Sequence, residues 1–98
     1  MIVIRNIFQI RAGVMKQAVA SAKQGQAFVA KSGFARSRLL TDVVGDFYTL
    51  VLETECASLQ EFESGLGQSF GSDEWQTWYR DFTQYIQSGR REIMNIVE

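Results

Sequence analysis

The sequence predicts an α+β domain in which a four-stranded antiparallel sheet carries helices on one face. Segments of period-two hydrophobicity alternate with segments of helical period in the order strand, helix, strand, strand, helix, helix, strand. The stretches between them are short, with no linker, internal repeat or low-complexity run, so the 98 residues form a single domain, 1–98. Each strand has one face that is almost wholly apolar and a second that is mixed.

Ile2 to Arg11 alternates, placing Ile2, Ile4, Phe8 and Ile10 with Asn6 on one face and Val3, Arg5, Ile7, Gln9 and Arg11 on the other, which is a strand. From Gly13 to about Lys31 the apolar residues Met15, Ala18, Val19, Ala22 and Val29 fall at helical spacing. Gly25 weakens that helix by about 1 kcal/mol relative to alanine and marks a kink or a close backbone approach. Ser32 and Gly33 supply its stop.

Ala35 to Val44 and Phe47 to Cys56 are extended runs around Gly45-Asp46, a tight hairpin in which glycine takes the positive φ. In the second run Tyr48, Leu50 and Leu52 share a face with Cys56, and Phe47, Thr49 and Val51 share theirs with Glu53 and Glu55. Ser58 and Glu61 stand at capping-box spacing and open a short helix to about Leu66, after which Gly65 to Gly71 connects to the next helix. Ser72, with Asp73 and Glu74 in the first turn, starts that helix, whose stripe is Trp75, Trp78, Tyr79, Phe82, Tyr85 and Ile86. Gly89 ends it, and Arg90 to Val97 is the last strand.

This order is a split βαβ arrangement, the ferredoxin-like βαββααβ topology, and right-handed crossovers give the spatial strand order four, one, three, two. The helices cover one face. The other carries Val3, Ile7, Phe47, Thr49 and Val51 beside Arg5, Gln9, Glu53 and Glu55, an apolar area large enough to predict that two subunits pack sheet to sheet as a homodimer.

Composition narrows the function classes. Ten Lys and Arg against eleven Asp and Glu leave a formal charge of −1, which gives no general attraction to nucleic acid or anionic lipid. Arg5, Asn6 and Gln9 interrupt the apolar start, so it does not read as a signal segment, and no run approaches the roughly 20 apolar residues of a membrane span. The single Cys56 excludes an internal disulfide and suits a cytoplasmic protein. The absence of histidine removes the commonest general base and metal ligand, and no Ser-His-Asp set exists. No metal site and no cofactor are expected.

The stretch Arg38-Leu39-Leu40-Thr41-Asp42-Val43-Val44-Gly45-Asp46-Phe47-Tyr48-Thr49-Leu50-Val51-Leu52-Glu53 resembles the NIPSNAP-like branch of the dimeric α/β-barrel proteins. Ser58-Leu59-Gln60-Glu61-Phe62-Glu63, Trp75 to Tyr79, the opening strand ending in Gly13 and the closing Gly89-Arg90-Arg91-Glu92-Ile93 fit the same pattern. The resemblance implies a homodimer whose two sheets form a barrel, in a superfamily of cofactor-free monooxygenases, lactone isomerases, haem-handling proteins and members without assigned activity. With no histidine as axial ligand, this chain departs from the haem-handling members.

The mixed sheet face holds the candidate site. Arg5 is placed to approach Glu53 or Glu55, and Arg91 to reach the same region. These residues form either register-fixing ion pairs or an arginine-lined barrel mouth that holds a small acidic molecule. Arg38 and Asp42, just before the hairpin, serve either turn chemistry or ligand contact, and Tyr48 is either core or a phenolic donor. The aromatic stripe of the last helix reads as packing against the sheet, and Cys56 as an inert buried thiol.

Three functions follow as expectations. The first is a homodimeric barrel binding a small anionic organic molecule in its interior through Arg5, Arg38, Arg91, Tyr48 and Glu55. The second is a cofactor-independent monooxygenase or isomerase for a small aromatic or acidic substrate, with Glu53 or Asp42 as a base of raised pKa and Arg5 or Arg38 stabilising an oxyanion. The third is a purely structural dimer that recruits another protein.

Overall fold

One antiparallel sheet in the order β2-β3-β1-β4 organises the molecule, the arrangement the split βαβ reading requires. A computed structural model describes residues 1–31, 34 and 36–98, and for residues 66–70 the backbone alone. Its elements are β1 (Ile2–Ile10), α1 (Met15–Lys31), β2 (Arg36–Thr41), β3 (Thr49–Cys56), α2 (Leu59–Phe70), α3 (Asp73–Thr83) and β4 (Ile86–Asn95). The expected helix stop at Ser32 and Gly33, and the strand start at Ala35, lie outside the described residues.

Local chemistry sets the helix starts. The Ser58 hydroxyl accepts from the Glu61 amide at 3.2 Å, and the Ser72 hydroxyl from the Trp75 amide at 3.1 Å, each satisfying an orphan donor of a first turn.

Three boundaries differ from the sequence reading. Strands β2 and β3 are joined by the seven-residue loop 42–48 rather than a two-residue turn. The apolar Val43, Val44 and Phe47 imitate strand, yet the backbone leaves the ladder after Asp42, whose amide donates to the Thr49 carbonyl at 3.3 Å and whose Oδ1 accepts the Thr49 amide at 2.8 Å, while Tyr48 turns left-handed at φ 62°. Helix α2 runs through Gly65 to Phe70 instead of stopping near Leu66; Gly65 is not a break but a point of close packing, the space its Cβ would need being occupied by the Phe34 ring. Helix α3 ends at Thr83 and β4 begins at Ile86, so Gly89 lies inside a strand, opposite Phe8, whose ring covers the glycine. Tyr85 and Ile86 leave the helical stripe accordingly.

The core forms in two parts on the helix side of the sheet. One gathers Ile10, Ala18, Ala22, Leu50 and Phe82; the other gathers Ile2, Ile4, Cys56 and Phe62. Helix α1 packs on β2 and β3, and α2 on β3, so β4 is the least covered strand. On the opposite, helix-free face Val3 and Ile7, on the central strand between Glu55 and Met94 and between Val51 and Arg90, are only 9% and 8% exposed. That face is therefore drier within one chain than its composition suggested. Apolar exposure is greatest at Val97 and at the tip of the 42–48 loop, where Val43, Val44 and Phe47 are 96%, 95% and 82% exposed, and on the helix-free face itself Leu40 and Met94 remain exposed. Among the described residues no helix is long and apolar enough to cross a membrane.

Candidate functional site

A cavity of about 750 Å³ separates the two parts of the core. Protein interiors close-pack, and voids beyond a water molecule are few, so a space of this size under the helices of a 98-residue chain needs a physical account. Its floor is the cross-strand row Arg91, Asn6, Leu52 and Leu39, one residue from each strand. Asn6 interrupts the otherwise apolar β1 face between Ile4 and Phe8, and Arg91 stands beside it on β4. Here the sheet offers polar groups where a filled core would place two more aliphatic side chains.

The walls are aromatic. Trp75, Trp78, Tyr79 and Phe82 of α3, Phe28 of α1, and Phe62 of α2 all face the space. Trp78 is fixed from two sides: its indole Nε1 donates to the Ser21 carbonyl at 2.7 Å, and its ring lies where a Cβ of Gly25 would be. Phe34 and Phe8, also lining residues, rest on Gly65 and Gly89 in the same way. Trp78 stacks on Phe82 (5.2 Å between centroids, 12° between planes), and Trp75 on Tyr79 (4.8 Å, 11°).

Arg91 is exposed and marks the open, β4 side of the cavity. Its Nε donates to Asn6 Oδ1 at 2.7 Å, and its guanidinium lies 5.4 Å from the centre of the Phe62 ring. Strand alternation turns Arg91 toward this space and Arg90, opposite Ile7, away from it, and no Asp or Glu is among the described lining residues to balance the Arg91 charge.

The residues singled out in sequence divide between the two faces. Arg5, Arg38, Glu53 and Glu55 are together on the helix-free face, where Glu53 accepts from Arg38 at 2.8 Å and from Arg5 at 3.3 Å, and Arg36 pairs with Glu55 at 3.6 Å. Burial alone would raise the Glu53 carboxyl, but hydrogen bonds from Arg38 and Arg5 and their charges outweigh it and hold the group below the ordinary glutamate value. A base working near neutrality needs the opposite shift. Asp42 staples its own loop through the Thr49 amide, and Tyr48, expected on the core face, stands in that loop with its carbonyl accepting the Ile10 amide.

Arg91 does not join Arg5. Strand alternation turns it to the other face, and it is the one residue of the expected set that lines the cavity. Asn6 is not among the site residues expected from sequence, and the α3 aromatics, Tyr79 included, read there as packing in preference to ligand contact. Asn6 carried a signal, a lone amide in an apolar strand face, whereas the aromatic stripe was indistinguishable from core by spacing alone. Among the described residues no group of three or more Cys, Asp or Glu could hold a metal ion.

The sequence matches no protein-family model and no curated protein. Solved structures do match. An uncharacterised NIPSNAP domain protein from Burkholderia xenovorans superposes with a TM-score of 0.88 at 15% identity, over 99% of this chain and 95% of that one. A NIPSNAP family protein from Agrobacterium tumefaciens strain C58 gives 0.89 at 20% identity, over 99% and 93%. SnoaB, a cofactor-independent oxygenase from Streptomyces nogalater, gives 0.78 at 14%, over 99% and 93%. Likeness at such identities establishes architecture rather than activity. The chain therefore has the ferredoxin-like fold that these NIPSNAP proteins also have, as its sequence pattern implied.

Proposed function

We propose that the protein binds a small organic anion in the cavity between sheet and helices, with Arg91 holding the anionic group. One observation carries this reading: a space of about 750 Å³ divides the core, and the charged side chain that strand alternation turns toward it is Arg91, with no Asp or Glu among the described lining residues. Its size is that of an ordinary small-molecule site, about 300–1,000 Å³, and its mostly apolar wall with a few convergent polar groups is the usual composition of one. The reading keeps the expected ligand chemistry but moves it from the sheet-to-sheet interior to the helix side. A thermal-shift screen of carboxylates and phenols tests it, since a ligand of the folded state alone raises the melting temperature. Shifts should appear with the native chain and vanish in Arg91→Gln; equal shifts in both would sink the assignment.

A second reading is cofactor-independent oxygenation, favoured by the fold likeness to SnoaB and by the position of Arg91. An ionised, electron-rich substrate would itself supply electrons to dioxygen, and Arg91 would stabilise the substrate oxyanion. Oxygen consumption with an ionised phenol that binds checks it.

In this reading two copies associate through the helix-free face and the exposed loop tip, supported by the exposure of Leu40, Met94, Val43, Val44 and Phe47. Sedimentation of the native chain and of Leu40→Glu measures this: a dimer that the substitution weakens is expected, and a native monomer refutes it. The free Cys56 suits a reducing compartment such as the cytoplasm.

A further inference from the structure

The cavity's two ends make different demands, and together they specify a ligand class. At the closed end the rings cannot rearrange freely. Trp78 is held by the Ser21 carbonyl and by Gly25, and Phe8 and Phe34 are seated on glycines. Trp78 and the buried Phe82 present nearly parallel planes there, while the stacked Trp75 and Tyr79 lie nearer the surface. Rigid rings reward a flat π-system that can stack on them, whereas a flexible chain of equal carbon count would lose its rotamer freedom without gaining face contact.

At the open end the polar groups are polarised in one direction. An arginine N–H can be accepted only by the carbonyl end of an amide, so the bond from Arg91 Nε turns Asn6 Oδ1 toward the guanidinium and leaves Nδ2 as a donor. The terminal nitrogens of Arg91 add further donors in a fixed fork. With no Asp or Glu among the described lining residues to accept them, such donors recognise an oxyanion, and a guanidinium fork matches the two oxygens of a carboxylate.

We infer that the ligand is a planar aromatic carboxylate, its ring system against the α3 aromatics and its oxygens on Arg91, with Asn6 as a second, specificity-determining contact through Nδ2. The inference rests on the cavity being a binding site, as proposed above, and adds the shape and chemistry of the occupant. Its orientation follows from the fold: the apolar end enters beneath the helices and the charged end stays at the β4 side, where the sheet is least covered.

Isothermal titration calorimetry of the full chain with naphthoate, undecanoate and naphthalenemethanol separates the parts. Naphthoate should bind at least roughly tenfold more tightly than either of the others, since stacking and a paired anion each add affinity. Undecanoate equal to or tighter than naphthoate overturns the aromatic class while leaving the cavity a site for organic anions. Naphthalenemethanol equal to naphthoate overturns the oxyanion contact. Binding by none of the three overturns both the class and the site. Asn6→Asp replaces the donor with a carboxylate that would pair with Arg91, and should weaken naphthoate by at least roughly tenfold; unchanged affinity removes Asn6 from the site. Arg91→Lys, at an exposed position, keeps the charge without the fork and should bring naphthoate toward the affinity of undecanoate. Native affinity in that variant refutes the paired contact even if Asn6→Asp does not fold.

Discussion

The indole of Trp78 occupies the place where Gly25 lacks a side chain, and its Nε1 donates to the Ser21 carbonyl one turn earlier on the same helix, at 2.7 Å. This joins α1 to α3 at the cavity wall. A glycine inside a helix costs about 1 kcal/mol relative to alanine, and here that loss is offset by letting a large ring approach the helix backbone and find a polar partner.

Gly25→Ala should therefore destabilise the chain despite alanine's higher helix propensity. The new methyl meets the Trp78 ring, and overpacking costs about 1–3 kcal/mol. Urea unfolding measures the loss. Because both tryptophans, Trp75 and Trp78, line the cavity, the folded emission spectrum should shift as well. A variant more stable than the native chain would show that the ring can move aside.

The 42–48 loop is set by Asp42 and Tyr48. Asp42→Ala leaves the Thr49 amide without its carboxylate acceptor and should cost about 1 kcal/mol, with faster hydrogen exchange at Thr49. Tyr48 is left-handed at φ 62°, a conformation that asparagine tolerates and β-branched residues resist. Tyr48→Asn should be close to neutral and Tyr48→Val destabilising by about 1–2 kcal/mol. Equal stability of the two variants would mean that the loop is not held in this conformation.

Glu53 makes acid stability predictable in sign. Its folded pKa lies below the ordinary 4.5, so its stabilising contribution is fully present above that value and is lost as pH falls through the lower, folded one. Glu53→Gln should be less stable than the native chain near neutral pH by about 1–2 kcal/mol, a figure held low because both arginine partners are open to solvent. The gap should close in strong acid. Urea unfolding at several pH values checks it, and a gap independent of pH would contradict the pairing.

Cys56 is buried, with its Sγ 3.3 Å from the Ser58 carbonyl. A thiol reagent should modify it only as fast as the chain opens, slowly in buffer and rapidly in urea. Fast labelling of the folded chain would place the thiol at the surface.

Sequence by itself determined the class of every element and the strand order, because period-two and period-3.6 patterns arise from backbone geometry and the crossover rule leaves few topologies. It also placed Arg5 within reach of Glu53 or Glu55, of which the register selects Glu53, and it marked Gly25 as a kink or a close approach, of which the Trp78 ring shows the approach. Element ends escaped it where apolar residues continue past the ladder, as at Val43 and Val44, or where a glycine serves a neighbouring ring rather than a turn, as at Gly65 and Gly89. Only the tertiary structure decided where the cavity lies. Trp75 and Trp78 have the spacing of core residues whether or not the space before them is filled, and filling depends on the volumes that α1, α2 and the sheet bring from distant parts of the chain. Arg91 and Asn6 became partners for the same reason: 85 residues apart in sequence, they are neighbours because β4 returns to pair with β1.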